Sequence, residues 1–425
     1  MRLLSQPFDG QLGDILIEAL SCGAYDRLSI VVAFARNSGV LRLKDALEKF
    51  REAGGEVDVF VGVDLDGTSY EALINLLPLA TTLRVVHDEN GQTFHTKLFY
   101  FEGPKQSLLI VGSHNLTGGG LWTNFESSVR IPLDQSNPQH LNLDKAVREY
   151  LDSLRTLSGR VMLISNESEI QNLQEHRYVD NEVKAQVRRQ REVEKRSESN
   201  MLFQSGPKSS IPGLPGSTMP GLSQKEPKEL AIPEVEIVLP HKRKQLSHFA
   251  DFAVTEDPTL WLETRKMTGG SRNILDLSKT SLLLSGTVEG TPYEHPDPEF
   301  MRGAVEFFGI DPEDTAREKQ IVINFDGVDY AENTIKFPTG KRANGTWRVQ
   351  IKGISERGEK ITTVLKEKAG GGFLLPNKIV TFTRVDTDYY YLSVFPESEL
   401  QEFLHASSIT AYNGRSNTAK LLGLI

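Results

Sequence analysis

The chain has 425 residues, of which 38% are hydrophobic and 25% are charged, and its formal net charge is −9 at pH 7. This length exceeds one ordinary domain, and the apolar fraction can supply two cores, so we expect two domains. The negative charge argues against a protein that coats nucleic acid without sequence preference, but it leaves room for local basic surfaces.

The N-terminal segment MRLLSQPFDG lacks the apolar core of a signal peptide, and no later run is apolar for long enough to cross a bilayer. The single cysteine, Cys22, excludes an intrachain disulfide and fits a reducing compartment. We therefore expect a cytoplasmic protein without a membrane partner.

The first third of the chain alternates apolar strands with a helix. Residues 29–36 (SIVVAFAR) predict a buried strand, residues 37–39 a turn, residues 40–52 a helix and residues 57–64 (VDVFVGVD) a second apolar strand. This order predicts an α/β domain.

Two adjacent predicted strands then carry polar side chains of a kind that binds phosphate. Alternation in FHTKLFYF (94–101) places His95 and Lys97 on one face. The strand 107–113 ends in the sequence Gly-Ser-His-Asn (112–115), so Ser113 and Asn115 lie side by side at its exit, ahead of the glycine run 118–120.

These residue types fit phosphodiester cleavage. His95 is a candidate nucleophile that forms a covalent intermediate, and Lys97, Ser113 and Asn115 are candidate donors to the non-bridging oxygens. Glu126, at the start of the next predicted strand, is expected to bind the far ring nitrogen of His95 and to fix its tautomer.

A metal site is the alternative for the same region, because His87, Asp88, Glu89 and His95 lie close together in the sequence. Lys97 beside His95 would repel a cation, and the HDE stretch before Asn-Gly is typical of a solvated turn. We therefore predict catalysis without a metal or another cofactor.

The middle of the chain predicts a linker over residues 166–233. A charged, helix-compatible segment (166–199) is followed by a stretch rich in Pro, Gly and Ser (206–227). The segment VKAQVRRQREVEKR is compatible with a DNA-contacting helix, but its glutamates favour a solvated connecting helix. The carboxylates between residues 167 and 194 also suggest that the linker inhibits the active site by mimicking phosphate.

Residues 234–425 predict a second unit built from many short strands. Runs such as EVEIVL, KTSLLLSG, QIVINF and DYYYLSVFP are separated by turn residues, which is typical of a mostly-β barrel. We expect helices over residues 296–309 and 396–407.

Two segments of this second unit carry side chains suited to reading base edges, since arginine pairs with guanine and asparagine or glutamine with adenine. In the second segment, alternation predicts that Trp347, Val349 and Ile351 face a core. A polar strand face with two surface loops would explain the same residues. The candidate DNA-binding residues are Lys266, Arg272, Asn273, Lys341, Arg342, Asn344, Arg348, Gln350 and Lys352.

The motif formed by His95, Lys97, Gly112, Ser113 and Asn115 resembles that of the phospholipase D superfamily, H-x-K followed by G-S-x-N. The position five residues after the lysine is Glu102 where the family has aspartate, which favours the nuclease branch over phosphatidyl transfer. The resemblance covers residues 1–165 and implies a mixed sheet flanked by helices, a phosphohistidine intermediate and no metal. It also implies a homodimer, because the centre needs two histidines and the chain has one H-x-K.

The C-terminal half resembles the B3-like pseudobarrel that follows a phospholipase D nuclease in BfiI- and NgoFVII-type restriction endonucleases, with TRKMTGGSRN and GKRANGTWR in the positions of its two arms. The resemblance implies a site-specific nuclease for double-stranded DNA that restricts foreign DNA. Two alternatives remain. One is a lipid phosphodiesterase of the phospholipase D type. The other is a recognition subunit that cuts only with a separate helicase-like ATPase, since the chain has no P-loop of its own.

Overall fold

The computed structural model describes residues 1–187, 257–267, 272–340 and 344–425. Strands in the described ranges form one sheet of eight strands, from the N-terminal part of the chain, and one of eleven, from the C-terminal part. Most of the predicted linker, the predicted strand EVEIVL, and Lys341 and Arg342 lie outside the described residues.

The first sheet is mixed, with strand order β1-β7-β6-β5-β2-β3-β4-β8. The central strands β2, β3 and β4 are parallel, whereas β5, β6 and β7 pair antiparallel. The strands are β1 (Arg2–Gln6), β2 (Arg27–Val32), β3 (Glu56–Gly62), β4 (Thr82–Val86), β5 (Lys97–Glu102), β6 (Gln106–Gly112), β7 (Glu126–Asp134) and β8 (Val161–Ile164).

Helices cover both faces of this sheet, which confirms the predicted α/β character of the first unit. Helices α1 to α3 pack on one face, and α4 packs on the other through Val147, Leu151 and Leu154. The helices are α1 (Leu12–Ser21), α2 (Asn37–Glu52), α3 (Tyr70–Leu79), α4 (Pro138–Arg155) and α5 (Glu167–Glu175).

Helix α5 lies in the segment predicted to be a linker from residue 166 onwards. Its Ile170 and Leu173, and Val179 beyond it, are buried in the core of the first sheet. Asn166 caps the helix by accepting a hydrogen bond from the amide of Glu169. The first unit therefore extends past residue 165, because two apolar side chains at helical spacing bury one face of an otherwise charged helix.

The second sheet has strand order β10-β15-β14-β13-β17-β16-β9-β19-β18-β11-β12. It encloses a core rich in large side chains, among them Phe308, Trp347, Phe382 and Tyr390. The strands are β9 (Thr259–Glu263), β10 (Ile274–Ser278), β11 (Thr280–Ser285), β12 (Phe300–Arg302), β13 (Glu318–Phe325), β14 (Val328–Lys336), β15 (Thr346–Gln350), β16 (Lys378–Asp386), β17 (Tyr389–Pro396), β18 (Ile409–Tyr412) and β19 (Leu421–Leu424).

Helices are few in the second unit. Helix α6 (Ile361–Lys368) was not predicted, and α7 (Leu400–Ala406) lies within the predicted helix at 396–407. The prediction of a helix over 296–309 is wrong, because this segment forms β12 and a short 3₁₀ helix, Ala304–Phe308. The interruption falls at Gly303, whose backbone lies so close to Ser278 O that a Cβ there would be 2.0 Å away.

The two units contact each other through α2. Leu41 of this helix packs with Val385, Tyr389 and Tyr391 of the second sheet. The guanidinium of Arg42 lies 2.8 Å from the carboxylate of Asp257, and both side chains are almost completely buried. Among the described residues no helix is both long and apolar enough to span a bilayer.

Candidate active site

The candidate catalytic residues lie at the edge of the first sheet where the parallel strands end. Val32, the last residue of β2, pairs with Lys97, the first residue of β5. Beside it, β6 ends at Gly112 and leads directly to Ser113. Carboxyl ends of parallel strands are the usual location of sites in open α/β sheets.

His95 precedes β5 instead of lying within it, so the prediction of a strand from residue 94 is wrong by three residues. Beyond Val32, the backbone of Phe34 turns to bond Leu116, which leaves residues 94–96 without a ladder partner in β2. His95 is consequently exposed, whereas Lys97 is only 9% exposed.

The ammonium group of Lys97 contacts the imidazole of His95 directly. Its Nζ lies 2.7 Å from Nδ1 and 3.0 Å from Nε2, and it donates to the backbone oxygen of His95 at 3.0 Å. This contact places a cation directly against the imidazole ring, where both groups can reach the same anion. Burial lowers the pKa of Lys97, and the negative charge of Glu126 acts in the opposite direction.

Phe34 forms one wall of this pair. Its ring meets the His95 ring edge-on, with centroids 5.8 Å apart, and the Lys97 Nζ lies 6.0 Å from its centroid. The amide of Phe34 donates to Oδ1 of Asn115 at 3.1 Å. This bond fixes the carboxamide of Asn115 and leaves its NH₂ group as a donor.

Ser113 and Glu126 are also brought together, but not in the predicted arrangement. The Ser113 hydroxyl donates to Oε2 of Glu126, and Asn124 Nδ2 donates to Oε1 at 3.3 Å. Within the described part of the chain, Glu126 makes no hydrogen bond to His95. The predicted contact, in which Glu126 fixes the tautomer of His95, is therefore not formed. Glu126 positions Ser113 instead, because β7 places it beside the end of β6.

His114, between Ser113 and Asn115, was not singled out by the sequence. It is 1% exposed, its Nδ1 lies 2.5 Å from Ser128 Oγ, and burial lowers its pKa to about 4. Its Nε2 has no hydrogen-bond partner among the described residues. A neutral, buried histidine here anchors the motif to β7, and the alternation that exposes Ser113 is the signal that could have predicted it.

The glycine run closes the site loop by allowing close backbone approach. A Cβ at Gly120 would lie 2.6 Å from Asn115 O, and one at Gly119 would lie 2.7 Å from Asn124 Oδ1. The π-helical turn Gly119–Thr123 follows. These glycines therefore let the loop fold back onto Asn115 and Asn124.

Glu102 lies at the other end of β5, on the order of 16 Å from Lys97 along the strand. It is 8% exposed and forms an ion pair with Arg148 at 2.5 Å, and burial raises its pKa. This carboxylate is therefore separate from the candidate site and ties β5 to α4.

The residues of the alternative metal set have other partners. His87 bonds Asp64, Asp88 pairs with Arg160 at 2.9 Å, and Glu89 accepts a hydrogen bond from Tyr178. In the described residues no group of three or more potential ligands lies close enough to hold a metal ion.

Two of the candidate DNA-binding residues that the structure describes, Arg348 and Gln350, lie on β15. The others, apart from Lys266, lie within two residues of an end of β10 or β15. Trp347, Val349 and Ile351 are buried, as the alternation predicted, and the intervening Arg348 and Gln350 are only partly covered. The edge strand β10 brings Asn273 beside Ile351, whose amide donates to Asn273 O at 2.9 Å.

Several of these side chains already have partners. Arg348 and Asn344 both contact Asp276, each at 3.4 Å, and Gln350 accepts from Thr334 at 2.8 Å. The Arg272 guanidinium lies 3.8 Å from the centroid of Phe373. Lys266 and Lys352 are exposed.

No protein-family model and no curated protein matches the sequence. Solved structures similar to this chain include Nuc, a phospholipase D family member from Salmonella typhimurium, with 15% identity over 39% of this chain and 97% of that chain and a TM-score of 0.29. NucT from Helicobacter pylori has 17% identity over 36% of this chain and 95% of that chain, with a TM-score of 0.27.

Polyphosphate kinase from Porphyromonas gingivalis has 19% identity over 39% of this chain, with a TM-score of 0.29, and the match spans only 24% of the kinase. With TM-scores of this size the likenesses carry no weight in assigning an activity.

Proposed function

We propose that this protein is a phosphodiesterase that cleaves double-stranded DNA without a metal, with His95 as nucleophile. The observation that carries this proposal is the contact between the Lys97 ammonium and the ring nitrogens of His95, 2.7 and 3.0 Å away, at an open sheet edge. An ammonium beside an imidazole suits attack on an anionic ester, because the cation binds the phosphate and the ring supplies the nucleophile.

The reaction has two steps. A ring nitrogen of His95 attacks phosphorus, and a P–N bond forms as the P–O bond to the leaving oxygen breaks. Lys97 and the Asn115 NH₂ group bind the non-bridging oxygens, and a second imidazole protonates the leaving oxygen. Water then attacks phosphorus and gives its proton to that second imidazole, while the P–N bond breaks and frees His95.

We assign the second imidazole to His95 of a second copy of the chain, so the active form is a homodimer. Exposed apolar side chains beside the site support a contact between copies, because such clusters are uncommon on surfaces without a partner. Phe8 and Phe125 are 76% and 79% exposed with ring centroids 5.6 Å apart, and Leu3 and Val111 are 57% and 41% exposed.

Recognition of a DNA sequence is assigned to the second unit, whose outward residues Arg348, Gln350 and Lys352 are suited to base edges or phosphates. A B3-like domain, a restriction role against foreign DNA and inhibition by the linker are parts of the same proposal. The negative charge of Asp276 repels DNA on this face, and the ion pair between Arg348 and Asp276 offsets that repulsion.

The test incubates the purified protein with plasmid DNA in excess EDTA, alongside His95→Ala and the control His176→Ala, which removes an exposed histidine on α5's C-terminal side. Discrete fragments that disappear only with His95→Ala support the proposal. Cleavage that requires a metal ion contradicts it.

Two other results would support one of the alternative functions instead. Intact DNA until an ATP-hydrolysing helicase-like protein is added supports the recognition-subunit alternative. Hydrolysis of phosphatidylcholine without DNA cleavage supports the lipid phosphodiesterase.

A further inference from the structure

Asp64 follows β3 at the same sheet edge and binds the segment that carries His95. Its Oδ2 accepts a hydrogen bond from the amide of Phe94 at 2.9 Å, one residue before His95. Its Oδ1 lies 2.7 Å from Nδ1 of His87, and the side chain is only 10% exposed. Both oxygens of this largely covered carboxylate therefore bind groups in the segment 87–94.

The residues after Asp64 support His95 from a second side. Gly67 lies against the ring of Phe34 so closely that a Cβ there would be 1.9 Å from Phe34 Cδ1. Phe34 in turn contacts the His95 ring. The loop 64–67 thus contacts both Phe94, which precedes His95 in the chain, and Phe34, whose ring packs against His95.

The backbone of this loop is strained. Leu65 and Asp66 have φ values of 56° and 51°, in the left-handed region that side chains other than glycine rarely adopt. The carbonyl of Asp66 accepts a hydrogen bond from Arg36 at 2.5 Å, and Thr68 Oγ1 accepts from the amide of Ala35 at 3.1 Å. Strain that the surroundings hold in place in this way is typical of functional sites.

The segment 87–96 makes several further contacts. Arg160 pairs with Asp88, and Thr96 Oγ1 lies 2.8 Å from the hydroxyl of Tyr150. His87 is oriented by Asp64, by the Tyr178 ring 5.2 Å away and by Glu89, whose Oε2 is 3.6 Å from Nε2. The hydrogen bond from the Phe94 amide to Asp64 is thus the described anchor nearest in sequence to His95 on its N-terminal side.

We propose that Asp64 is a positioning residue for His95, which fixes the backbone before the nucleophile, and that His87 holds the carboxylate in the required orientation. This inference rests on the proposed phosphodiesterase function. Asp64 does not touch the substrate. It keeps the imidazole within reach of phosphorus, where a displacement of about 1 Å costs on the order of 100-fold in rate.

Two substitutions of Asp64 separate the effect of side-chain geometry from the effect of side-chain charge. Asp64→Asn keeps an oxygen in place for the Phe94 amide, and its NH₂ group can donate to the other tautomer of His87. Asp64→Glu keeps the charge but lengthens the side chain by one methylene. We expect Asp64→Asn to retain most of the single-turnover cleavage rate, and Asp64→Glu and Asp64→Ala to lose on the order of 10- to 100-fold with unchanged half-saturating DNA concentration.

The matched control is Glu175→Gln, which changes an exposed carboxylate at the C-terminal end of α5, and we expect it to leave the rate unchanged. Cleavage and covalent labelling of His95 are followed together in EDTA. Asp64→Glu faster than Asp64→Asn, or Asp64→Ala as fast as the unmodified protein, overturns the inference. Should Asp64→Ala fail to fold, the order of the other two variants still decides it.

The result is distinguishable from failure of the proposed function. If His95→Ala cleaves as well as the unmodified protein, the phosphodiesterase proposal itself is wrong. If His95→Ala is inactive and the Asp64 variants are fully active, only the positioning role is wrong.

Discussion

At the scale of single residues, the contact between Lys97 and His95 has the clearest consequence. Lys97 is nearly buried, and no carboxylate of the described residues contacts it directly, since Glu126 acts on it only through longer-range attraction. Burying such a cation costs stability, and under the proposed function a bound phosphate anion would offset that cost.

We expect Lys97→Met to lower the single-turnover rate of DNA cleavage in EDTA on the order of 100- to 1,000-fold, because it removes a donor that stabilises charge on the transferring phosphoryl group. Its melting temperature should not fall, since methionine fills a similar volume without a buried charge. The control is Lys105→Met, an exposed lysine in the turn between β5 and β6. An active Lys97→Met variant would remove Lys97 from the chemistry.

At the scale of elements, helix α2 joins the candidate site to the second unit. Ser38 Oγ in its first turn accepts a hydrogen bond from the amide of Gly118 at 3.1 Å, and the carbonyl of Ser38 accepts from Arg42 at 2.7 Å. Gly39 lies directly against the backbone of Leu116. The site loop therefore rests on the helix that also contacts Asp257.

A methyl group at Gly39 tests this packing. Its Cβ would lie 2.7 Å from Leu116 O and 2.8 Å from Thr117 C, and backbone atoms cannot move aside as a flexible side chain can. We expect Gly39→Ala to lower the free energy of unfolding by about 1–3 kcal/mol and to slow cleavage, because the loop that carries Asn115 must shift. Urea denaturation and a cleavage assay measure the two effects. Glu52→Ala, at an exposed position in the last turn of α2, should change neither.

At the scale of the whole molecule, the two units are held by buried charges as well as apolar contacts. Arg42 donates to Asp257 and, at 3.2 Å, to the carbonyl of Val385. Burial raises the pKa of Asp257 to about 6, and the attraction of Arg42 opposes that rise. Such pairs contribute little net stability, but losing one member leaves the other charge uncompensated.

We therefore expect Asp257→Ala to cost about 3–5 kcal/mol in unfolding free energy, because the buried guanidinium stays charged. Arg42→Met should cost less at pH 5.5, because the orphaned Asp257 can take up a proton and become neutral. Denaturation of both variants and of the double variant measures the coupling. Equal costs at that pH would mean that the orphaned Asp257 carboxylate stays charged or that repacking dominates.

The contact region between the two units also predicts that the stability of the protein depends on pH. Glu71 accepts from Asn181 Nδ2 and from the amide of Glu182, each at 2.9 Å, and its pKa is raised to about 7 by burial and by the nearby carboxylate of Glu182. Residues 182–187, which follow, carry Val183 and Val187 into contact with Trp261 and Phe395 of the second unit.

Because the folded protein holds this proton more tightly than the unfolded chain does, the contribution of Glu71 to stability is fully present below about pH 4.3 and is lost as the pH rises to about 7. We expect Glu71→Gln to flatten the fall in melting temperature between pH 5 and pH 8. The unmodified protein supplies the reference slope. An unchanged slope in the variant would assign the dependence to other groups.

The sequence by itself determined the local pattern of the site and of much of the sheets. Period-two alternation placed Lys97 on a strand, and it correctly separated buried Trp347, Val349 and Ile351 from outward-facing Arg348 and Gln350. These are short-range properties, set by side-chain direction and by burial on one face of a strand. The nuclease chemistry, the dimer and DNA recognition remain proposals.

Only the tertiary structure decided which distant residues meet. Asp64 is 30 positions from Phe94, yet β3 and β5 end at one sheet edge, so its carboxylate binds the amide before His95. Glu126 bonds Ser113 instead of His95 because β7 pairs with β6, and α5 joins the first core although its composition is that of a linker. Strand order and inter-unit packing depend on which buried surfaces fit together over long chain separations, and no local pattern of residues encodes that fit.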